Sequence, residues 1–351
     1  MGLGFTYRES GRVLGSGGFS EVVHAVCKET GEHVALKKFK KDDRTSVENE
    51  ARILQMAAAN HWVANYVDDF IHEQTNLPVL VLELVPGIEY IEYIQKRSPE
   101  EARNEDILVS LMLQMAIAVG ALHEQGIVHR DIKLENTIIN LSTRQIKLVD
   151  LGLAKALDPS KGKYYAYSSV KVGSASYAAP EMHERFSHFD LRVADCYALG
   201  VCLFATLVGN FPFKGSSFSI ARDSDDVFVE SAKMCDRNMH SRRIASNKAI
   251  GEDYHESEEY DDKIGDTHFS YIKWFLSYQE RTDTIAPWLR RLVEDMLRIS
   301  PDARASSAGF VVRTLMSRRG GASVPPSPPP LELADSSSSS SEGVVEKKQK
   351  V

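Results

Sequence analysis

The chain has 351 residues, 43% of them hydrophobic, which allows roughly two domains or lobes with a buried core. A formal net charge of −7 argues against nucleic acid or an anionic membrane surface as a general partner. The four cysteines lack the spacing of metal ligands, and so few of them indicate a reducing compartment with free, mostly buried thiols.

The N-terminus has no apolar run typical of a secretory signal within residues 1–26. Residues Met1–Thr6 fit the loose myristoylation pattern at Gly2, but the folded part is predicted to begin by Tyr7, which leaves almost no tether. We therefore expect an ordinary N-terminus and a cytoplasmic location, with the nucleus as the alternative.

The first predicted element is a pair of strands joined by a glycine-rich turn. The first strand ends in Leu14-Gly15-Ser16-Gly17-Gly18, and the second strand runs through Val22. Glycines let backbone N–H groups approach a phosphate because no Cβ stands in the way. The alternative is a glycine hairpin that binds nothing, and this motif alone does not decide between the two.

The next strand-like run, Val34–Lys37, carries a candidate phosphate ligand. Side chains alternate between the two faces of a strand, so Ala35 and Lys37 lie on the same face. A small residue suits the underside of an adenine ring, and an ammonium group suits the phosphates. The alternative is a surface lysine without a role.

A helix is predicted to follow, with Thr45 as its N-cap and Glu48 reaching back in a capping box. Glu50 lies three and four residues before two apolar residues of this helix and therefore shares their inward face. Glu50, rather than Glu48, is thus the inward-facing carboxylate.

A buried strand, Val79–Leu82, ends near a Pro86-Gly87 turn that marks a connection between two parts of the chain. Residues 107–125 are apolar all round and predict a buried helix that ends at Gly126.

The stretch 127–152 is the most informative in the chain. Thr137–Ile139 and Ile146–Val149 read as the strands of a hairpin around a polar turn. Asn136 precedes this hairpin and Asp150 follows it. Because a hairpin reverses the chain, these two side chains are expected to lie near each other.

Asp131 and Lys133 join Asn136 and Asp150 at the same end of the hairpin. Two carboxylates, a carboxamide and an ammonium group are thereby gathered. Oxygen ligands of this kind suit Mg²⁺, which prefers one or two carboxylates together with phosphate oxygens. The alternative is a solvated charged loop beside a surface hairpin.

These motifs resemble those of eukaryotic-type protein kinases. The spacing His129-Arg130-Asp131-x-Lys133-x-x-Asn136, followed by Asp150-Leu151-Gly152, resembles the catalytic and metal loops, with leucine where phenylalanine is commoner. Val34-Ala35-Leu36-Lys37 and the glycine-rich turn match the ATP-site motifs, except that Ser20 replaces the third glycine. Lys133, two residues after Asp131, is typical of Ser/Thr kinases.

The resemblance covers about residues 8–315 and implies an α+β fold of two lobes. A small β-rich N-terminal lobe is expected at about 8–83 and a larger helical C-terminal lobe at about 88–315. ATP and Mg²⁺ are the implied cofactors.

The resemblance also implies a role for each site residue. Asp131 is the catalytic base that orients the substrate hydroxyl, and Lys133 neutralises the transferring phosphoryl group. Asn136 and Asp150 are the metal ligands. The implied cofactor-binding residues are Leu14, Gly15, Ser16, Gly17, Gly18, Val22, Ala35, Lys37, Glu50, Glu83, Val85 and Glu89.

Within this set, a Lys37–Glu50 ion pair positions the α- and β-phosphates. Backbone groups of Glu83 and Val85 bind the adenine edge, and Glu89 reaches ribose or substrate.

Gly173–Glu181 resembles the end of a Ser/Thr kinase activation segment, with Ser174 placed to contact Asp131 and Lys133. Arg130 can pair with a phosphate through a bidentate contact. We therefore hypothesise activation by an upstream kinase at Ser168 or Ser169, the alternative being a segment held without phosphate.

Two further residues are expected to have structural roles by the same resemblance. Asp195 anchors the backbone of the catalytic loop, and Arg304 pairs with Glu181. The uncharged run Cys196–Phe213 is long enough for a membrane span but reads better as a buried core helix, so we expect no transmembrane segment.

Two regions depart from the pattern. Residues 222–266 read as an insertion that contains an acidic run, Glu252–Asp262, which is either a disordered loop or a docking site for a basic partner. Residues 319–351 form a Pro- and Ser-rich tail that is expected to be disordered.

The prediction is therefore a protein serine/threonine kinase that transfers the γ-phosphate of ATP to protein substrates and has no nucleic-acid partner. Glu89 and Glu135 hint at basic residues around the acceptor, although both can simply be solvated. One rival is a pseudokinase or scaffold that binds nucleotide or partners without catalysis. Ser20, Leu151 and the insertion favour it, and the retained site residues oppose it. A small-molecule kinase is a weaker rival, because the segment ending at Glu181 is of a peptide-binding kind.

Overall fold

The computed structural model describes residues 6–158, 165–166, 172–183, 189–212, 285–298, 304 and 307–318. The first part of the chain forms an antiparallel sheet with the strand order β1-β2-β3-β5-β4. The five strands are β1 (Tyr7–Ser16), β2 (Ser20–Cys27), β3 (His33–Phe39), β4 (Tyr66–Ile71) and β5 (Pro78–Glu83).

Helix α1 (Arg44–Met56) lies between β3 and β4 in the chain and packs on β4 and β5. Its N-cap is Asp43, whose carboxylate accepts a hydrogen bond from the backbone N–H of Ser46 at 3.1 Å. The predicted capping box is therefore wrong, and Thr45 lies inside the first turn. Aspartate is a better N-cap than threonine, and here it reaches the third helical N–H.

The second part of the chain is mainly helical. Its helices are α2 (Tyr90–Lys96), α3 (Glu105–Glu124), α4 (Pro180–His183), α5 (Leu191–Val208), α6 (Pro287–Met296) and α7 (Ala308–Arg318), with 3₁₀ turns at Glu101–Arg103 and Leu134–Asn136. Short strands connect them, namely β6 (Ile88–Glu89), β7 (Ile127–Val128), β8 (Thr137–Ile139), β9 (Ile146–Leu148), β10 (Lys155–Ala156), β11 (Tyr165–Ala166) and β12 (Phe189–Asp190). The β-rich first part and helical second part confirm the predicted α+β, two-lobed fold class.

Helices α3 and α5 form the centre of the second part. Both are long and apolar enough to cross a membrane, yet 61% and 94% of their most apolar windows are buried inside the described structure. That burial is typical of core helices and agrees with the interpretation of the apolar run. Cys27, Cys196 and Cys202 are buried free thiols, as predicted.

Asp195 was predicted to open helix α5, but the helix begins four residues earlier, at Leu191. Asp190 caps it by accepting the N–H of Arg192 at 2.9 Å, and Gly209 ends it with a φ of +79°. Asp195 therefore lies in the second turn rather than at the opening, because the charged Arg192 belongs to the helix although it breaks the uncharged run.

The predicted hairpin is present as β8 and β9, with Thr137 opposite Leu148 and Ile139 opposite Ile146. Just beyond it, the N–H of Val149 donates to the carbonyl of Asn136 at 2.8 Å, which brings Asn136 close to Asp150.

Strand β9 also contacts the connection between α1 and β4. Leu148 donates to the carbonyl of Trp62 at 2.7 Å and accepts from the N–H of Ala64 at 2.8 Å, and Val63 bridges to it in parallel. The strand that leads to Asp150 is therefore bonded directly to the first part of the chain.

Candidate active site

Lys37 lies where the two parts of the chain meet. It shares the inner face of β3 with Ala35, and its amine donates to both carboxylate oxygens of Glu50, at 2.7 and 2.9 Å. It also donates to Asp150 Oδ1 at 2.7 Å. The predicted Lys37–Glu50 ion pair is thus present, and Asp150 completes a cluster of three charges.

Lys37 attracts both carboxylates of this cluster, whereas the two carboxylates repel each other. Burial opposes the charge of Lys37, but the carboxylates of Glu50 and Asp150 outweigh it and raise the lysine pKa. Burial raises the pKa of Glu50 against the attraction of Lys37. For Asp150, partial burial is outweighed by Lys37 and the N–H of Gly152, which hold its pKa below the ordinary value. Lys37 and Asp150 are therefore both charged at neutral pH.

The catalytic loop is held by Asp195, which projects from α5. Its carboxylate accepts the backbone N–H groups of His129 and Arg130, each at 2.8 Å, which confirms the predicted anchor. His123, near the end of α3, adds a third contact through Nε2 at 2.9 Å. His123 was not predicted, because a histidine in a helix carries no signal for a partner 72 residues away in the chain.

Both oxygens of Asp131 are held by neighbours. Oδ1 accepts the backbone N–H of Ser174 at 2.8 Å, and Oδ2 accepts Lys133 Nζ at 2.7 Å and Asn136 Nδ2 at 3.1 Å. Lys133 also donates to Ser174 Oγ at 3.0 Å. The contacts predicted for Ser174 are thus present. Because Asn136 uses its amide nitrogen on Asp131, its amide oxygen is the atom suited to a cation.

Two non-glycine residues of the site have left-handed backbone conformations, Arg130 with a φ of +64° and Asp150 with a φ of +68°. Such conformations cost about 1–3 kcal/mol each and persist where surrounding contacts over-determine them. The backbone N–H of Arg130 donates a hydrogen bond to Asp195, and its side-chain Nε donates to the carbonyl of Leu153 at 2.6 Å. Gly173 lies against this loop with a φ of +93°, and a Cβ there would stand 2.5 Å from the carbonyl oxygen of Arg130.

The glycine-rich turn lies between β1 and β2, with Gly15 opposite Val22. Leu14 and Val22 are partly buried and pack against the core cluster that contains Ala35. Ser20 begins β2 and is not among the described residues with positive φ, so its backbone does not require the glycine that it replaces.

Ser16, Gly17 and Gly18 form the end of β1 and the turn itself. The N–H of Gly17 donates to the carbonyl of Ser20 at 2.9 Å, and the amine of Lys40 holds the carbonyl of Gly17 at 2.5 Å. These two hydrogen bonds within the first part of the chain therefore hold the turn.

The connection after β5 approaches β8 closely. Gly87 has a φ of +150°, and a Cβ there would stand 2.2 Å from the carbonyl oxygen of Ile139. Glu83 and Val85 precede it, both half-buried, and Glu89 ends β6 as an exposed residue. The Glu83 carboxylate pairs with Lys147, a residue that the sequence analysis did not single out.

Arg304 and Glu181 form a buried ion pair, as predicted. Their atoms lie 2.5 and 2.9 Å apart, with side chains 0% and 1% exposed. Arg304 also donates to the carbonyl of Val193 at 3.1 Å and lies over the ring of Tyr197 at 4.8 Å. The pair ties the end of the activation segment to α5.

Several predictions fall outside the residues that the structure describes. They concern Gly2, the phosphorylation sites Ser168 and Ser169, the acidic insertion 222–266 and the tail 319–351.

Comparison with known proteins agrees with the geometry. The sequence model of the protein kinase domain family matches residues 8–316. A maternal embryonic leucine zipper kinase of Xenopus tropicalis is 32% identical over 227 residues, which are 64% of this chain and 32% of that protein. A probable serine/threonine-protein kinase of Clostridium perfringens is 30% identical over 209 residues, 58% of this chain and 29% of its own.

A hormonally up-regulated neu tumor-associated kinase homolog of Xenopus laevis is 35% identical over 223 residues, 60% of this chain and 30% of its own. The match thus spans about a third of the length of these relatives. The family match covers most of the chain and includes every residue of the site described above. This chain therefore belongs to the protein kinase domain family.

Proposed function

We propose that this chain transfers the γ-phosphate of ATP to Ser or Thr hydroxyls of protein substrates, with Mg²⁺ as its metal. The observation that carries this proposal is the position of the Lys37 amine, 2.7 Å from both Glu50 and Asp150. A lysine from the β-rich part and a carboxylate from the helical part thereby meet in one cleft. Phosphoryl transfer depends mainly on such positioning and charge neutralisation.

The donor set around Asp150 fits Mg²⁺. Asn136 and Asp150 supply one amide and one carboxylate oxygen, and Mg²⁺ commonly takes one or two carboxylates together with substrate phosphates. When bound, the ion would neutralise phosphate charge. Lys37 would hold the α- and β-phosphates from the opposite side of the cleft.

Asp131 is the proposed catalytic base. Its carboxylate, fixed by Ser174 and Asn136, would accept the proton of the substrate hydroxyl as that oxygen bonds to the γ-phosphorus and the bond to the leaving ADP oxygen breaks. Lys133, now 2.7 Å from Asp131, would neutralise charge on the phosphoryl group in transit. Contacts of this kind each contribute about 3–4 kcal/mol to transition-state stabilisation.

The acidic side chains beside this base favour basic residues in the substrate. Burial raises the pKa of Glu89, and the neighbouring carboxylates of Glu135 and Glu92 raise it further, so three acidic side chains lie close together here. Glu135 is held by the hydroxyl of Tyr177 at 2.8 Å. An arginine or lysine near the phosphorylated residue would relieve this repulsion.

Assignment as a pseudokinase is the second candidate, and Ser20 and Leu151 favour it. Leu151 is fully buried and therefore fills the apolar position that phenylalanine usually takes. The cluster of Lys37, Glu50 and Asp150 supports catalysis over binding alone.

The deciding experiment uses the full chain with Mg²⁺, labelled ATP and a Ser peptide with flanking arginines. Asp131→Asn is the test variant, and Asp42→Asn, on an exposed residue paired with Arg44, is the matched control. We expect Asp131→Asn to lose phosphate transfer at least a hundredfold and the control to retain it. Equal transfer by the wild type and Asp131→Asn would reject the proposal.

The same assay tests the substrate class. A peptide with glutamates in place of the arginines is expected to react at least tenfold more slowly, and a tyrosine in place of the serine is expected to remain unphosphorylated. Equal rates for the arginine and glutamate peptides would remove the proposed role of Glu89 and Glu135.

Regulation and location remain part of the proposal. Arg130 would bind a phosphate placed on Ser168 or Ser169 by an upstream kinase, and the protein would act in the cytoplasm or the nucleus. A Ser168→Ala/Ser169→Ala double variant with full activity would exclude this form of activation.

A further inference from the structure

Lys147 forms an ion pair that the proposed catalytic steps do not use. It lies in the middle of β9, and its amine donates to both carboxylate oxygens of Glu83, at 2.6 and 2.7 Å. The two side chains are only 6% and 10% exposed. The pair therefore joins the helical part of the chain to the last residue of β5, where the connection between the two parts begins.

Asn65 completes the surroundings of Glu83. Its backbone N–H and its Nδ2 each donate to Glu83 Oε2 at 3.1 Å, and its carbonyl accepts the N–H of Glu83 at 2.9 Å. Four hydrogen bonds thus converge on the carboxylate, and a fifth fixes the backbone. Both the side chain and the peptide unit of Glu83 are held in one position.

A gain in folding stability does not explain why Lys147 and Glu83 are buried together. Removing an ion pair from water costs about as much as its attraction returns, so an apolar pair of similar size is often as stable. The position of Lys147 offers a different explanation. It lies three residues before Asp150, and its neighbour Leu148 is bonded to Trp62 and Ala64 of the first part. One short strand therefore holds Glu83 through Lys147 and leads, two residues after its end, to Asp150.

We propose that Lys147 is a positioning residue that sets the adenine-binding carbonyl of Glu83 at a fixed distance from Asp150. This inference rests on the proposed function, in which Glu83 meets the adenine edge and Asp150 meets the metal at the phosphates. The ion pair then matches the distance between these contacts to the length of one nucleotide. Its loss affects recognition of the base and leaves the contacts of Lys37 with the phosphates intact.

The test separates binding of the base from binding of the phosphates. Binding of adenosine and of inorganic tripolyphosphate with Mg²⁺ is measured by calorimetry on the full chain, so neither reading depends on phosphate transfer. The variant is Lys147→Met, which keeps the length of the side chain and removes its charge. The control is Lys38→Met, because Lys38 makes an exposed pair with Glu9 at 2.8 Å.

We expect Lys147→Met to weaken adenosine binding about tenfold and to change tripolyphosphate binding less than twofold. Lys38→Met should change neither, and Lys147→Arg should restore most of the adenosine affinity. In kinetic assays, the KM for ATP should rise about tenfold while kcat falls less than threefold. A structural role alone would instead weaken both ligands together.

If Lys147→Met does not fold, Glu83→Gln/Lys147→Met removes both charges and is expected to show the same selective loss. Adenosine affinity within twofold of the wild type in a folded variant would overturn the proposal, as would equal loss of both ligands. If the wild type transfers no phosphate but Lys147→Met still loses adenosine affinity selectively, the proposed catalytic function is rejected and the role of Lys147 is supported.

Discussion

Glu50 provides the sharpest test of the active-site geometry. Its carboxylate is 2% exposed and lies 2.7 and 2.9 Å from the Lys37 amine. Breaking a buried ion pair costs about 3–5 kcal/mol when the remaining charge is left unpaired. In Glu50→Gln, Asp150 continues to hold the amine at 2.7 Å, so we expect a smaller loss of about 2–3 kcal/mol.

If an interaction energy of that size is also lost from the transition state, kcat/KM falls about 30- to 150-fold. The reason is that Lys37, without Glu50, follows Asp150 towards the metal side of the cleft and leaves the phosphates. The measurement is the initial rate of peptide phosphorylation at subsaturating ATP, with thermal unfolding to verify the fold.

Glu48→Gln is the matched control, because Glu48 is an exposed glutamate of the same helix, two residues earlier. We expect it to stay within twofold of the wild type. Equal losses in Glu48→Gln and Glu50→Gln would refute the reasoning, since no local contact of Glu50 would then matter.

Three further predictions concern the surroundings of the site. Burial lowers the pKa of His129, so below about pH 6.5 the unfolded chain binds a proton that the folded chain does not. The free energy of unfolding therefore decreases as the pH is lowered, by up to about 1.4 kcal/mol per pH unit. His129→Phe should flatten the slope of unfolding free energy between pH 7.5 and 5.5 by part of that amount, and an unchanged slope would contradict a buried neutral histidine. Arg304→Met leaves the Glu181 carboxylate buried and unpaired and should lower the free energy of unfolding in urea by about 3–5 kcal/mol. The double variant Glu181→Gln/Arg304→Met should recover part of that stability. An Arg304→Met variant within 1 kcal/mol of the wild type would contradict this prediction. Gly173→Ala places a Cβ 2.5 Å from the Arg130 carbonyl at a φ of +93° and should lower kcat at least tenfold by displacing Ser174 from Asp131. The control is Gly309→Ala in α7, where a Cβ would make only ordinary van der Waals contacts.

The residues with recognisable spacing were the ones that the sequence could predict. Lys37, Asp131, Asn136 and Asp150 lie in short motifs, and the hairpin between the last two follows from local chemistry alone. The choice of Glu50 over Glu48 was also correct, although the capping argument that supported it was not.

The remaining contacts could not be predicted because they join ordinary residues across long separations. His123 reaches Asp195 over 72 residues, and Lys147 reaches Glu83 over 64. Nothing in their neighbourhoods distinguishes them from solvated side chains. Similarly, four acceptable N-cap residues stand near the start of α1, and only the folded backbone shows that Asp43 is used rather than Thr45.

The hydrogen bonds that join Trp62 and Ala64 to β9 fix the chain shortly after the C-terminal end of helix α1. The C-terminal end of α1, at Met56, lies six residues before Trp62, so a rotation of the helix about that end would move its first turns most. With a rise of about 1.5 Å per residue, Glu50 lies roughly 9 Å from the last residue of the helix, and a 10° rotation would displace it by about 1.6 Å. That displacement is enough to break the contact between Glu50 and Lys37. A small movement of the exposed first turn at Arg44 would therefore break the ion pair while Asp150 keeps its position.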